Sequence, residues 1–221
     1  MNFNPVAVKI LHHMDIISNF AALEGGDGSG TTTQLSILTG RLKTAPKPVF
    51  FPTFEPSESE IGRMIRAALK KEITVLPQTL AMLFAADRNE HLYGQDGILQ
   101  RAARGELVIS DRYVLSSLVY QGIECGDELP KALNSPFPAP EITIFLDIKP
   151  EIALERLKNR DTVEIYEYLD FQKKVYEKYL TVLETYSKAG GKVEIIDASK
   201  SPEEVADRVW SIITQMPIFK A

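Results

Sequence analysis

Cysteine is nearly missing from this sequence, with Cys125 the one example in 221 residues. One thiol forms no intrachain disulfide, which excludes a disulfide-stapled scaffold and points to a reducing cytoplasm. Long hydrophobic runs are also missing: no stretch approaches the roughly 20 apolar residues that cross a bilayer, so no membrane partner is expected. The short apolar run from Val6 to Leu11 carries only Lys9 as charge. Without a basic region or a small-residue cleavage site it does not read as a signal peptide. His12 and His13 read as part of an exposed extension rather than as metal ligands. With Met14 just ahead of the first convincing strand, the functional unit is expected to begin near residue 14, and residues 1–18 to form an N-terminal extension. Excess basic charge is absent as well: 25 Lys+Arg against 30 Asp+Glu leave a net charge of −5. That excludes a general nucleic-acid coat but still allows a local anion pocket. Repeats and low-complexity blocks do not occur. What remains, 44% hydrophobic and 25% charged, suits one sizeable domain with its own core.

Short apolar runs alternate with helical patterns. Strands are expected at Phe20–Glu24, Pro48–Phe51, Leu107–Asp111, Ile142–Ile148 and Val193–Ile196. Continuous apolar runs of this kind suit strands buried on both faces of a parallel sheet. Helices are expected from about Thr31 to Leu42, over a long pattern from Pro77 to Arg104, and from Pro150 through Asn159. Ser201-Pro202-Glu203-Glu204 spells a capping box for a last helix. Tyr168, Phe171, Val175, Tyr179, Val182 and Tyr186 recur every three or four residues and read as a packing stripe. Trp210 reads as core. The alternation predicts one α/β domain, a mainly parallel sheet with helices on both sides, with ligands at the carboxyl ends of the strands.

The most informative stretch is Leu23-Glu24-Gly25-Gly26-Asp27-Gly28-Ser29-Gly30-Thr31-Thr32-Thr33-Gln34. Gly25 and Gly30 have the spacing of a phosphate-binding loop, and Thr32 stands where a hydroxyl meets magnesium. Glycines let several N–H groups turn inward, and the next helix adds its N-terminal dipole. A dinucleotide fingerprint fits worse, because its third glycine falls on Thr31. A simple tight turn is the alternative.

Two further constellations follow. Phe84 and Arg88 are four apart on one helical face, where an aromatic plane and a guanidinium can stack on a nucleobase and bond its edge. On spacing alone, a buried Phe84 beside a surface ion pair of Arg88 with Asp87 or Glu90 is the favoured alternative. Asp111 and Arg112 end the third expected strand, where magnesium and phosphate chemistry belongs. Ser116 or Ser117 and Tyr120 follow one helical turn apart. The alternative there is a helix cap by Asp111 beside an exposed Arg112.

Taken together, these residues resemble bacterial thymidylate kinases of the P-loop nucleoside-monophosphate kinase superfamily over residues 19 to 215. The motifs are Leu23–Gly30 with the following threonines, Leu83-Phe-Ala-Ala-Asp-Arg88, and Asp111–Gly122; Phe51–Pro56 and Leu169–Phe171 are weaker matches. The resemblance implies a P-loop NTPase fold, three layers α/β/α around a five-stranded parallel sheet, in a domain spanning 19–221, and usually a homodimer. It implies ATP and Mg2+, with dTMP as acceptor. The loop residues Gly25, Gly28, Ser29, Gly30, Thr31, Thr32 and Thr33 would hold ATP, and Thr32 and Asp111 the metal. Phe84 would stack on thymine, Arg88 bond its O4 and Ser117 read the pyrimidine edge. Tyr120 would exclude a 2′-hydroxyl, with Gln121 supporting the pocket. Asp27 would approach the 3′-hydroxyl, and Arg112 would bridge the two phosphates.

Three departures stand out. Thr31 replaces the loop lysine, Phe54 the arginine of a Thr-Arg-Glu-Pro motif, and the lid, about 161–168, has Glu164 and Glu167 but no arginine. Gly28 occupies the loop position where some relatives carry arginine. Arg160, with Arg156 one turn earlier, is expected to swing over the ATP phosphates in compensation; a solvated helix face is the alternative. The function expected is transfer of the ATP γ-phosphate to dTMP. The alternatives are a nucleotide-binding protein with negligible kinase activity and a kinase for another nucleoside or its monophosphate.

Overall fold

A computed structural model describes residues 15–44, 48–157 and 165–220, with the side chains of 165–167 excepted. His12, His13, Met14, Arg160 and most of the expected lid lie outside the described residues. Five strands, β1 (Ile16–Glu24), β2 (Phe50–Phe54), β3 (Leu107–Asp111), β4 (Ala139–Asp147) and β5 (Val193–Asp197), form one sheet in the order β2-β3-β1-β4-β5. Every pairing is parallel. β3 is buried along its whole length and β1 nearly so from Phe20 onward, which is why both read as unbroken apolar runs.

Nine α-helices join the strands among the described residues. They are α1 (Thr31–Lys43), α2 (Glu60–Leu69), α3 (Pro77–Tyr93), α4 (Ile98–Ala103), α5 (Val114–Cys125), α6 (Glu128–Asn134), α7 (Pro150–Leu157), α8 (Ile165–Lys188) and α9 (Pro202–Ile213). The side chains of Leu35, Leu38 and Leu42 on α1 and Val205, Val209 and Ile213 on α9 build one core with Ala21, Leu23, Ile144 and Leu146. Phe20, Ala22 and Val108 pack with α4 residues, and Phe145 packs with α5 and α8, in two further clusters. Alternate residues of β1 and β4 thus face different clusters, as helices on both sheet faces require. Among the described residues no helix is long and apolar enough to cross a membrane.

Four boundaries differ from expectation by three residues or more. β1 begins at Ile16, so residues 16–18 of the expected extension lie in the sheet. Polar Ser18 and Asn19 interrupt the hydrophobic pattern because a register shift between Ile17 and Ala21 turns the chain locally. Asn19 sits at φ 63° and donates its backbone N–H to Glu141 (2.7 Å) and its amide to the Ala102 carbonyl (3.1 Å). β2 runs to Phe54 through Pro52, which is tolerated because β2 is an edge strand. β4 starts three residues early. The single helical pattern from Pro77 is two helices, divided at Gly94–Gly97 with Asp96 in the left-handed region at φ 57°. The Ser201 capping box is present: Ser201 Oγ accepts from Glu204 N, and the Glu204 side chain accepts from Ser201 N.

Candidate active site

The loop from Gly25 to Gly30 leaves the carboxyl end of β1 and enters α1. Ser29 N donates to the Gly26 carbonyl (3.1 Å), closing the turn, and Gly30 caps α1 from the left-handed region at φ 99°. Gly28 sits at φ 79°, and a Cβ there would stand 2.6 Å from the Ala153 carbonyl of α7. An arginine at this place would be strained by both backbone and contact. Thr31, at the lysine position, is buried. Residues 26–34 of the loop and helix start line a cavity of about 890 Å³ together with Arg112, Arg156, Tyr168 and Lys200.

Thr32 and Asp111, the two residues expected to hold the metal, lie together, Thr32 Oγ1 donating to Asp111 Oδ2 at 2.5 Å. Asp111 Oδ1 is buried with no hydrogen-bond partner among the described residues. A hydroxyl beside a carboxylate with one free buried oxygen fits a hard divalent cation. Asp111 does not cap α5, whose N-cap residue is Tyr113 with no side-chain cap, and the Arg112 side chain is mostly buried. The helix-cap alternative is thereby corrected.

Arg112 and Asp27 form the centre of the site. Arg112 Nη2 donates to Asp27 Oδ1 (2.8 Å), and Nη1 donates to the Gly25 carbonyl (3.0 Å) and Ser116 Oγ (3.3 Å). The Arg112 backbone is held at φ 71°, a costly conformation for a residue with a Cβ. Burial opposes its charge, but Tyr120, Tyr179, Asp27 and Asp111 around it more than offset that and hold its pKa well above the ordinary value. Asp27 also accepts from Tyr120 Oη (2.9 Å), Tyr168 Oη (2.8 Å) and Gln172 Nε2 (2.9 Å). Four donors on one carboxylate leave it no easy role as a base. Burial raises the Tyr120 and Tyr168 phenols, so both remain donors.

Beneath Arg112 lies Glu24, at the end of β1 and wholly buried. It accepts from Tyr113 N (2.9 Å), Ser116 N (3.3 Å), Ser116 Oγ (2.6 Å) and Tyr179 Oη (3.1 Å). Burial pushes its carboxyl from 4.5 up to about 7, with the Ser116 hydrogen bond pulling the other way. Glu24 thus supplies from β1 the cap that α5 lacks.

A second cavity, of about 220 Å³, is lined by Phe84, Arg88, Ser117, Tyr120, Gln121, Glu55 and Pro56, with Asp27 and Arg112 again in its wall. Arg88 is almost fully buried and makes no pair with Asp87 or Glu90, which corrects the surface alternative. Its Nε and Nη2 both donate to Glu55 Oε2 (2.9 and 2.6 Å), Nη2 also to Ser117 Oγ (3.0 Å), and Nη1 to Asn134 Oδ1. A buried ion pair of this kind gives little net stability. Asp87 instead fastens the turn after β2, accepting from Ser57 N, Ser57 Oγ and Ser59 Oγ at 2.6 Å each. Gln121 Oε1 is buried without a partner among the described residues.

The remaining candidates divide. Arg156 reaches the rim of the larger cavity, donating to the carbonyls of Ala198 (2.8 Å) and Lys200 (3.3 Å). Thr33 lies at the rim too, and Phe54 is half-exposed away from both cavities. Sequence reasoning missed Glu24, Glu55, Asn134, Gln172 and Lys200. It took Tyr168 and Tyr179 for packing alone, whereas Tyr168 also aims its hydroxyl at the half-buried Asp27 and Tyr179 at the buried Glu24.

Comparison with known proteins gives a consistent result. The family model described as thymidylate kinase matches residues 23–209. A putative thymidylate kinase of Treponema pallidum is 41% identical, over 89% of this chain and 95% of that protein. A probable thymidylate kinase of Pyrobaculum aerophilum is 43% identical, over 91% of this chain and 99% of its own length. A thymidylate kinase of Synechococcus is 35% identical over 91% and 98%.

Proposed function

The chain belongs to the thymidylate kinase family, and on that premise we propose that it transfers the γ-phosphate of ATP to dTMP, giving dTDP for dTTP synthesis. The observation that carries this reading is that Asp27 and Arg112 line both cavities. A donor in the larger cavity and an acceptor in the smaller one would meet at these two residues.

An oxygen of the dTMP phosphate, anionic near neutral pH, attacks the γ-phosphorus; the new O–P bond forms as the bond to the β-phosphate oxygen breaks, and ADP leaves. No strong base is needed, so alignment and charge neutralisation carry the rate. Among the described residues, the Nε–H and second Nη2–H of Arg112 have no partner, and these would meet the phosphates. The backbone N–H groups of Gly28 and of Gly30 to Thr33 would hold the ATP phosphates, with the Ser29 N–H kept by the turn, and Thr32 with Asp111 would hold Mg2+. That ion, when bound, neutralises phosphate charge. Arg156 would reach the ATP side; Arg160 keeps the same assigned role. Phe84 would stack on thymine, Arg88 offer its remaining Nη1–H to O4, and Ser117 and Gln121 read the rest of the edge. Tyr120, held on Asp27, would bar a 2′-hydroxyl.

A second copy of the chain is the partner we propose for the exposed apolar side chains Met64, Leu69, Ile73, Leu76 and Met82 on α2, α3 and their connection. One cysteine favours the cytoplasm.

A reading as a nucleotide-binding protein with negligible turnover is kept by the cations that Thr31 and Phe54 do not supply. Coupled ADP-release assays over a panel of monophosphates separate the two. Turnover with dTMP, falling at least 100-fold in Arg112→Ala, is the expected result; tight dTMP binding with no turnover on any acceptor would establish the inactive binder.

A further inference from the structure

His91, on α3 one turn beyond Arg88, belongs to no role assigned above. Its side chain is almost buried, with Nε2 2.6 Å from Thr53 Oγ1 and Nδ1 3.2 Å from Glu55 Oε1. Glu55 in turn binds Arg88 through its other oxygen alone. An arginine and a carboxylate left to themselves favour a fork-on-fork pair, two N–H groups on two oxygens. Here both Arg88 N–H groups converge on Oε2, because Oε1 is already engaged by His91. The off-centre pairing sets the guanidinium plane, and with it the direction of the one Nη1–H left over after Asn134 is served.

We propose that His91 is a positioning residue for recognition of the nucleobase: anchored by the Thr53 hydroxyl, it occupies Glu55 Oε1 and thereby fixes Arg88 against the pyrimidine edge. With Thr53 donating to Nε2, the ring proton sits on Nδ1 and is donated to Glu55. Without that donor the carboxylate rotates about its last bond, Arg88 takes up the symmetric fork, and its free N–H swings away from the base. This rests on the reading of the smaller cavity as the dTMP site.

The test compares His91→Phe, which keeps a planar ring but no N–H, with His91→Asn, whose amide N–H falls near the Nδ1 position. For each, the KM values for dTMP and ATP and kcat at saturating dTMP are measured, with dTMP affinity by calorimetry. His91→Phe is expected to raise the dTMP KM and Kd about tenfold, the cost of one well-placed hydrogen bond, with ATP KM and kcat within about twofold of wild type. His91→Asn is expected to recover most of that loss. Thr53→Val, which removes only the anchor, is expected to show a smaller rise of the same kind and covers the case in which His91→Phe does not fold. Wild-type dTMP affinity in His91→Phe, equal impairment in His91→Phe and His91→Asn, or a parallel rise in ATP KM would overturn the role of His91. A wild-type protein that binds no dTMP would overturn the dTMP reading, and this proposal with it.

Discussion

At the scale of single residues, the site is a set of buried charges whose partners decide what each can do. Glu24 has the clearest consequence. Its folded pKa of about 7 lies above the unfolded value near 4.5, so between those values the native state binds more protons than the unfolded chain. Stability from this group therefore falls as pH rises through that window, by roughly 3 kcal/mol in full. Urea unfolding at pH 5 and pH 8 is expected to show this loss in the wild type and to show less of it in Glu24→Gln; equal pH dependence in both would refute the assignment. Gly28 makes a steric prediction. Gly28→Arg meets both a positive φ and the Ala153 carbonyl, so it is expected to destabilise the fold by about 1–3 kcal/mol and to weaken ATP binding. Thr31→Lys asks whether phosphate charge is undersupplied. A higher turnover rate is expected; an unchanged one would mean that another cation already fills that space. Tyr120→Ala is expected to narrow the preference for dTMP over UMP in the same assay.

At the scale of elements, α5 lines the smaller cavity with Ser117, Tyr120 and Gln121 yet has no side-chain cap of its own. Glu24 from β1 accepts from the N–H groups of its N-cap residue Tyr113 and of Ser116 in its first turn, so strand and helix are joined at the point where Arg112 is bent into positive φ. Helix α8 contributes in a similar way: Val175 and Tyr179 fill the core, while Tyr168 and Gln172 at its start hold Asp27. Its periodicity shows the packing face plainly. It does not show the hydroxyls, because a tyrosine on an apolar stripe looks the same whether its oxygen meets water or a buried carboxylate. Helix α9 is the opposite case, legible because its capping box is local. Ser201→Ala is expected to cost about 1 kcal/mol, read as a lowered unfolding midpoint.

At the scale of the whole molecule, the parallel sheet brings the ends of β1, β2 and β3 together and sets two cavities on either side of Asp27 and Arg112. Phosphoryl transfer across that junction needs the two ligands in register, which a single rigid sheet edge provides. If the exposed apolar side chains of α2 and α3 carry a subunit contact, sedimentation is expected to find a dimer that Met82→Glu dissociates.

The sequence by itself determined the alternation of strand and helix, the loop around Gly25 to Gly30 and the identities of Phe84, Arg88, Asp111 and Arg112. Periodicity, glycine spacing and caps are properties of neighbours along the chain, and they are read without knowing the fold. Only the tertiary structure decided that Arg88 is paired with Glu55, 33 residues away, that Asp27 is bound by four donors from two helices and the β3–α5 connection, and that Glu24 caps α5. Those are contacts between distant segments, and the charge state and direction of a buried group depend on what the fold places against it.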